Sequence, residues 1–155
     1  MGMPEPGCLA RLASNGYTHV VRLAEDHEVG EVWGSLEAYE EEARRAGLRV
    51  ISYPIRDYSV PRGPDSACQL ARMLLALAER GARILIHCYG GTGRTPMLVT
   101  AVLVACGYSL GEALRVVEEK LGVVDLTPDQ QDFLAWFERL YRGCACSDGI
   151  PCCNC

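Results

Sequence analysis

A histidine-cysteine pair and an arginine enclose a glycine-rich stretch in the middle of this chain. His87 and Cys88 end an apolar run, and Arg94 follows six positions after the cysteine. Between them lie Tyr89, Gly90, Gly91, Thr92 and Gly93. Closely spaced glycines let the backbone curl so that its N–H groups point inward and bind an anion. Since arginine offers a planar fork for two phosphate oxygens, the segment predicts a thiolate nucleophile in a phosphate-binding loop.

Two predicted elements position this loop. Residues 84–87 read as a buried strand, and the apolar run over residues 95–106 reads as a helix. The N-terminus of a helix carries a partial positive charge, which attracts phosphate and favours the thiolate form of a nearby cysteine. The strand, loop and helix therefore indicate a site at the carboxyl end of a strand.

The spacing His-Cys-x5-Arg-Thr resembles the signature of the cysteine-dependent protein tyrosine and dual-specificity phosphatases. A buried cysteine beside a glycine turn is the usual alternative, but it explains neither the arginine nor the flanking elements. The resemblance covers about residues 6–141 and is greatest to small atypical dual-specificity phosphatases and compact prokaryotic tyrosine phosphatases. It implies one catalytic domain over residues 1–142, followed by a cysteine-rich tail over residues 143–155.

A phosphatase of this type needs a general acid that protonates the leaving oxygen. Asp57 lies 31 residues before Cys88 in a proline-punctuated segment, where the family places its acid. The alternatives are that Asp57 merely caps a solvated turn, or that Asp65 is the acid, although Asp65 is better placed as a helix N-cap. By the same resemblance, Thr95 donates a hydrogen bond to the cysteine sulfur and His87 holds the loop through hydrogen bonds.

The resemblance implies a cysteinyl-phosphate intermediate on Cys88, with Asp57 acting first as acid and then as base. The loop dipoles and the arginine carry the charge that Mg²⁺ neutralises in other phosphoryl-transfer sites, so we expect no metal and no other cofactor. In the larger tyrosine phosphatases a glutamine positions the hydrolytic water, and the corresponding position here is Leu126. Gln130 or Gln131 could substitute, although a helix surface is the expected place of each.

The rest of the chain alternates short apolar runs with amphipathic segments. Strands are predicted at residues 20–23, 48–52 and 84–87, and helices at residues 36–46, 67–80, 95–106, 109–122 and from 127 onward. This alternation predicts an α/β fold with a mostly parallel central sheet and helices on both faces.

The loop and its surroundings also bear on the substrate. Tyr89 and Thr92 are not lysines, which argues against the basic pocket of relatives that dephosphorylate phosphoinositides. No long insertion is present to wall a deep pocket, so a shallow site should take a phosphorylated protein, with phosphotyrosine favoured over phosphoserine and phosphothreonine. An aryl group leaves more easily, and Tyr58 or Tyr89 could stack on it.

Charge and hydropathy limit which partners and which cellular location we expect. The formal net charge is −5 and no basic stripe is present, so neither nucleic acid nor an anionic membrane is an expected partner. The sequence start lacks the pattern of a signal peptide, and the longest apolar helix is too short for a bilayer. We therefore expect a cytoplasmic protein, which suits a catalytic thiolate.

The tail holds five of the nine cysteines: Cys144, Cys146, Cys152, Cys153 and Cys155. Four thiolates would suffice for tetrahedral zinc, although Cys-x-Cys and Cys-Cys are poorer spacings than paired Cys-x2-Cys. Disulfides and a reduced tail are the other two interpretations.

Two other functions share a phosphate-binding loop. A phosphoprotein-binding module would bind without hydrolysis, but such modules typically lose the cysteine, the arginine or the acid. An arsenate reductase or a sulfur-transfer enzyme also uses a cysteine in an anion loop, and it would need a resolving cysteine near Cys88.

Overall fold

Three short parallel strands form the centre of the computed structural model, which describes residues 1–143. They are β1 (His19–Arg22), β2 (Arg49–Ser52) and β3 (Ile84–His87), in the order β2-β1-β3. The middle strand β1 is buried along its whole length. Alternate side chains of β1 enter different cores, with Val20 on one face and Val21 on the other.

Helices cover both faces of the sheet, as the sequence predicts. In the described part of the chain they are α1 (Cys8–Ser14), α2 (Asp26–Trp33), α3 (Leu36–Arg45), α4 (Pro64–Glu79), α5 (Arg94–Ala105), α6 (Leu110–Leu121) and α7 (Pro128–Gly143). Residues of α1, α2 and α3 pack against Val20 in one core, while residues of α4 to α7 pack against Val21 in the other. The predicted α/β class with a parallel sheet is therefore confirmed.

Helix α5 is the central helix of the second core. It packs against α4, α6, α7 and β3. Met97, Leu98 and Ala101 are fully buried. A helix that is surrounded in this way must be apolar on nearly all sides, which explains the almost uniform run in the sequence.

The structure corrects the predicted start of α4. The helix begins at Pro64, so Asp65 lies in its first turn and Gly63, with φ of 80°, holds the N-cap position. Proline is favoured at the first helical position because its missing N–H would have no partner there. The prediction that Asp65 is the N-cap is thus wrong, and the five tail cysteines lie outside the described residues.

Candidate active site

The phosphate loop, residues 88–94, connects β3 to α5 at the carboxyl end of the sheet. Cys88 is only 2% exposed, and its Sγ accepts a hydrogen bond of 3.2 Å from the backbone N–H of Gly91. Gly91 has φ of 89°, and a Cβ there would lie 2.5 Å from the backbone nitrogen of Gly2. Only glycine meets both conditions, so the tight curl predicted for this loop depends on Gly91.

The loop lines a cavity of about 170 Å³. The other residues that line it are Asp57, Tyr58, Asp125 and Gln130. The fold therefore brings the predicted nucleophile, arginine and acid into one cavity. Tyr58 and Tyr89, the two predicted stacking residues, lie at this cavity and are 74% and 42% exposed.

Glu28 of α2 holds the guanidinium of Arg94 at the wall of the cavity. Nη1 and Nη2 of Arg94 each donate to one carboxylate oxygen of Glu28 at 2.7 Å, and Nη1 also donates to the backbone oxygen of Ile55 at 3.0 Å. Both side chains are buried. Burial by itself would lower the pKa of Arg94, but the hydrogen bonds to Glu28 outweigh it, so the pKa is raised and the guanidinium stays charged.

Glu28 belongs to this site through its contacts with Arg94, and no sequence pattern had predicted it. It follows the central strand β1 and lies in the first turn of α2, where its side chain also accepts from the backbone N–H of Glu25 at 2.8 Å. One sequence feature could have indicated Glu28. It is a glutamate in the first turn of a helix, and that helix follows the carboxyl end of the central strand. That end of a parallel sheet is where the predicted site lies.

We expect Glu28→Gln to lower the free energy of unfolding by about 3 kcal/mol, because it leaves the buried charge of Arg94 without its counter-ion. Urea denaturation of the purified protein measures this change. The matched control is Glu41→Gln, which removes an exposed pairing with Arg44 and Arg45 and should change stability little. Equal effects of the two variants would contradict a structural role for the Glu28–Arg94 pair.

Asp57 also contacts the guanidinium of Arg94 through its carboxylate. Its Oδ1 is 3.1 Å from Nη2 of Arg94, and its side chain is 56% exposed. It belongs to the acid loop, defined here as residues 56–59. The next residue, Tyr58, has φ of 56°, a left-handed conformation that costs a non-glycine residue roughly 1–2 kcal/mol. Strain of this kind persists where surrounding contacts hold the backbone.

Gln130 lies beneath the acid loop and is 1% exposed, so the expectation that it is a helix-surface glutamine is wrong. Its Nε2 donates to the backbone oxygen of Ser59 at 3.1 Å. Gln131 is exposed, as expected, and donates to the backbone oxygen of Leu126 at 3.0 Å. The two neighbouring glutamines look alike in the sequence, and only packing separates them.

His87 is fully buried and contacts the loop in the way the sequence analysis expects. Its Nδ1 lies 3.1 Å from the backbone oxygen of Cys88, and its Nε2 lies 2.8 Å from the hydroxyl of Tyr39. Burial lowers the pKa of His87 to about 4, so the ring is neutral at pH 7. A carbonyl only accepts, so Nδ1 carries the hydrogen and Nε2 accepts from Tyr39.

Thr95 has a different partner from the one predicted. Its hydroxyl donates to the backbone oxygen of Met1 at 3.2 Å, so its single hydrogen does not go to the sulfur. The N–H of Cys88 also points at this oxygen, at 3.4 Å, and the N–H of Met3 donates to the backbone oxygen of Tyr89 at 2.8 Å. The segment over residues 1–3 thus packs against the phosphate loop, a contact that no sequence pattern predicts.

Two further features can be described for residues 1–143. None of the helices in this part is long and apolar enough to cross a membrane. Within the same residues, no group of three or more His, Cys, Asp or Glu side chains is arranged to hold a metal ion.

This fold, with a cysteine and an arginine in one phosphate loop, is the arrangement of the cysteine-based tyrosine and dual-specificity phosphatases. The family model described as "Swiss Army Knife protein, DSP-PTPase phosphatase domain" matches residues 5–130. The chain therefore belongs to that phosphatase family.

Known proteins agree with this assignment. The crystal structure of Tk-PTP in its active form superimposes with a TM-score of 0.75 at 32% identity, covering 89% of this chain and 88% of that one. Human DUSP28, at 18% identity and a TM-score of 0.71, shares the fold. Protein tyrosine phosphatase type IVA 2 of Mus musculus is 28% identical over 78 residues, which are 49% of this chain. The match spans 46% of the mouse protein, less than half its length.

Proposed function

We propose that this protein is a protein phosphatase that hydrolyses phosphotyrosine, and also phosphoserine or phosphothreonine, through a cysteinyl-phosphate intermediate and without a metal ion. The observation that carries the proposal is the convergence of the Cys88 sulfur, the Arg94 guanidinium and the Asp57 carboxylate on one cavity. Membership of a phosphatase family supports it. A catalytic thiol also needs a reducing compartment, so we propose a cytoplasmic location.

In the first step the sulfur of Cys88 attacks phosphorus in line with the leaving group. The S–P bond forms as the bond from phosphorus to the leaving oxygen breaks, and Asp57, entering as the carboxylic acid, gives that oxygen its proton. In the second step water attacks phosphorus and the S–P bond breaks. Asp57 takes a proton from this water, and inorganic phosphate leaves.

Arg94 has the donors that this mechanism requires. A guanidinium carries five N–H groups, of which Glu28 takes two and the backbone oxygen of Ile55 takes one. The Nε–H and the Nη2 hydrogen that now faces Asp57 remain for phosphate. A bound phosphate would therefore displace Asp57 from Arg94, which leaves the acid free to turn to the leaving oxygen.

The charge of the cavity supports a substrate with a single phosphate. Among the described residues that line it, Arg94 is the one cation, whereas Asp57 and Asp125 are both acidic. A second phosphate inside the cavity would meet these two carboxylates and no second basic side chain among the lining residues. The distant relative PTPMT1 has been crystallised with PI(5)P, but it is 18% identical and shows the shared fold alone. The two tyrosines at the cavity suit an aromatic ring.

The direct test compares phosphate release from a phosphotyrosine peptide and a matched phosphothreonine peptide, in EDTA with fresh reductant. We expect release from the phosphotyrosine peptide at full rate in EDTA and slower release from the phosphothreonine peptide. Binding of the peptides without release would instead support a phosphoprotein-binding module. Thiol consumption that depends on arsenate would support a reductase.

Asp57→Asn should lower kcat on the phosphotyrosine peptide about 10²–10⁴-fold, because amide nitrogen cannot supply the proton that the leaving oxygen needs. The measurement is steady-state phosphate release across pH. The matched control is Asp65→Asn, an exposed aspartate in the first turn of α4, which should retain wild-type activity. A large loss in the Asp65 variant and none in the Asp57 variant would reverse the assignment of the acid.

A further inference from the structure

The start of α7 is closed by a reciprocal pair of hydrogen bonds between Thr127 and Gln130. The N–H of Thr127 donates to Oε1 of Gln130 at 3.1 Å, and the N–H of Gln130 donates to Oγ1 of Thr127 at 3.3 Å. This is the capping box, in which two residues three apart satisfy each other's free backbone donors. Taken alone, it would be an ordinary way to begin a helix.

The same two side chains also reach the acid loop. Oγ1 of Thr127 donates to the backbone oxygen of Tyr58 at 3.4 Å, and Nε2 of Gln130 donates to the backbone oxygen of Ser59 at 3.1 Å. The orientation of the amide follows from its partners, because the N–H of Thr127 can only donate and the oxygen of Ser59 can only accept. One end of Gln130 thus caps the helix and the other end holds the loop.

The acid loop also has the ion pair between Asp57 and Arg94 and a hydrogen bond of 3.0 Å from the N–H of Ser59 to the backbone oxygen of Arg56. Ile55 before it and Pro61 after it are buried, whereas Asp57 and Tyr58 are exposed and Tyr58 has left-handed backbone. Gln130 also lies close to the phosphate loop, since a Cβ on Gly93 would be 3.4 Å from its Oε1. The side chain therefore touches helix, acid loop and phosphate loop at once.

We propose that Gln130, assisted by Thr127, is a positioning residue that holds the acid loop so that Asp57 lies over the phosphate loop. This inference rests on the proposed function. It assigns Gln130 to the acid rather than to the hydrolytic water. Its Oε1 and one of its two Nε2 hydrogens are already committed to backbone partners. Loss of the contacts with the acid loop would misplace Asp57 as the proton donor, whereas Cys88 and Arg94 would stay in place.

Gln130→Glu tests the contact of this side chain with the acid loop separately from its contact with the start of the helix. An ionised glutamate still accepts from the N–H of Thr127, as in other capping boxes, but it has no hydrogen to donate to the oxygen of Ser59. Two substrates then report on the acid: a phosphotyrosine peptide, whose leaving phenoxide needs a proton, and 2,4-dinitrophenyl phosphate, whose leaving group departs as an anion.

We expect Gln130→Glu to lower kcat/KM on the phosphotyrosine peptide about 10–100-fold more than on dinitrophenyl phosphate, part of the effect of a general acid. The value of kcat/KM reports the first step alone, and repulsion of phosphate by the added charge acts on both substrates alike. Gln131→Glu, at the exposed neighbouring position, should leave both rates unchanged. In an Asp57→Asn background, Gln130→Glu should lower kcat/KM on the peptide by no more than on dinitrophenyl phosphate, because the two residues act on the same proton transfer.

Equal losses of kcat/KM on the two substrates, or no loss on either, would each overturn the proposal. If the buried glutamate prevents folding, Thr127→Val is the second variant. It removes the hydroxyl donor to Tyr58, and the same selective loss on the peptide is expected. Wild-type protein that releases phosphate from neither substrate would overturn the proposed function itself, which is a separate result.

Discussion

Cys88→Ser is expected to lower phosphate release from a phosphotyrosine peptide by roughly 10⁴-fold or more, the order of loss seen when a hydrolase loses its covalent nucleophile. A serine hydroxyl is nearly isosteric but is a poor nucleophile without a base to activate it. In this site the sulfur accepts a hydrogen bond from Gly91 and has Arg94 nearby, and neither group can take a proton from serine.

The control for this variant is Cys106→Ser, at an exposed position beyond the end of α5, which should keep full activity. Rapid acid quench of the wild-type protein during turnover should trap one phosphate on Cys88, and mass spectrometry of the peptides would locate it. Near-normal hydrolysis by Cys88→Ser would show that the reaction does not pass through a cysteinyl phosphate.

Arg94→Lys is the second large effect that we expect, with kcat/KM lowered about 10³–10⁵-fold, as for loss of an arginine that stabilises a phosphoryl transition state. Lysine keeps the positive charge but lacks the planar set of N–H donors that a guanidinium has. Its ammonium cannot bind both oxygens of Glu28, the backbone oxygen of Ile55 and two phosphate oxygens at the same time.

Two measurements separate the causes of this loss. Titration with inorganic phosphate should show weaker binding by the lysine variant, and urea denaturation should show lower stability because Glu28 loses its bidentate partner. Arg62→Lys, at an exposed position before α4, is the matched control and should change neither. A lysine variant with wild-type kcat/KM would show that positive charge alone, without the planar geometry, suffices for catalysis.

The parts of the site that were predictable are local in the chain. The phosphate loop is seven residues long, and its strand, its glycines and its helix are adjacent in sequence, so their geometry follows from backbone rules. The proposed acid, Asp57, was predictable only through the resemblance to a known family, because Asp57 and Arg94 meet across 37 positions of the chain. The alternation of strands and helices was likewise enough to predict the fold class.

The parts that were missed depend on packing between distant segments. Glu28 reaches Arg94 from 66 residues away, and Tyr39 reaches His87 from 48 residues away. Glutamate is commonly exposed to solvent, and tyrosine is buried about as often as not, so neither residue type points to a buried partner. Helices α1 and α2 were not predicted at all, since they are short and α2 is rich in acidic residues.

The candidate nucleophile, the phosphate loop and the α/β class could be predicted from the chain alone, because these depend on residues that are neighbours along it. Three-dimensional packing settles which carboxylate pairs with Arg94, which glutamine is buried and what contacts Thr95. The third outcome depends on where residues 1–3 pack, and the first two depend on which helix faces the carboxyl end of the sheet. The burial of a polar side chain is decided by the partner that it meets there, and the sequence pattern around Glu28 or Gln130 does not contain that partner.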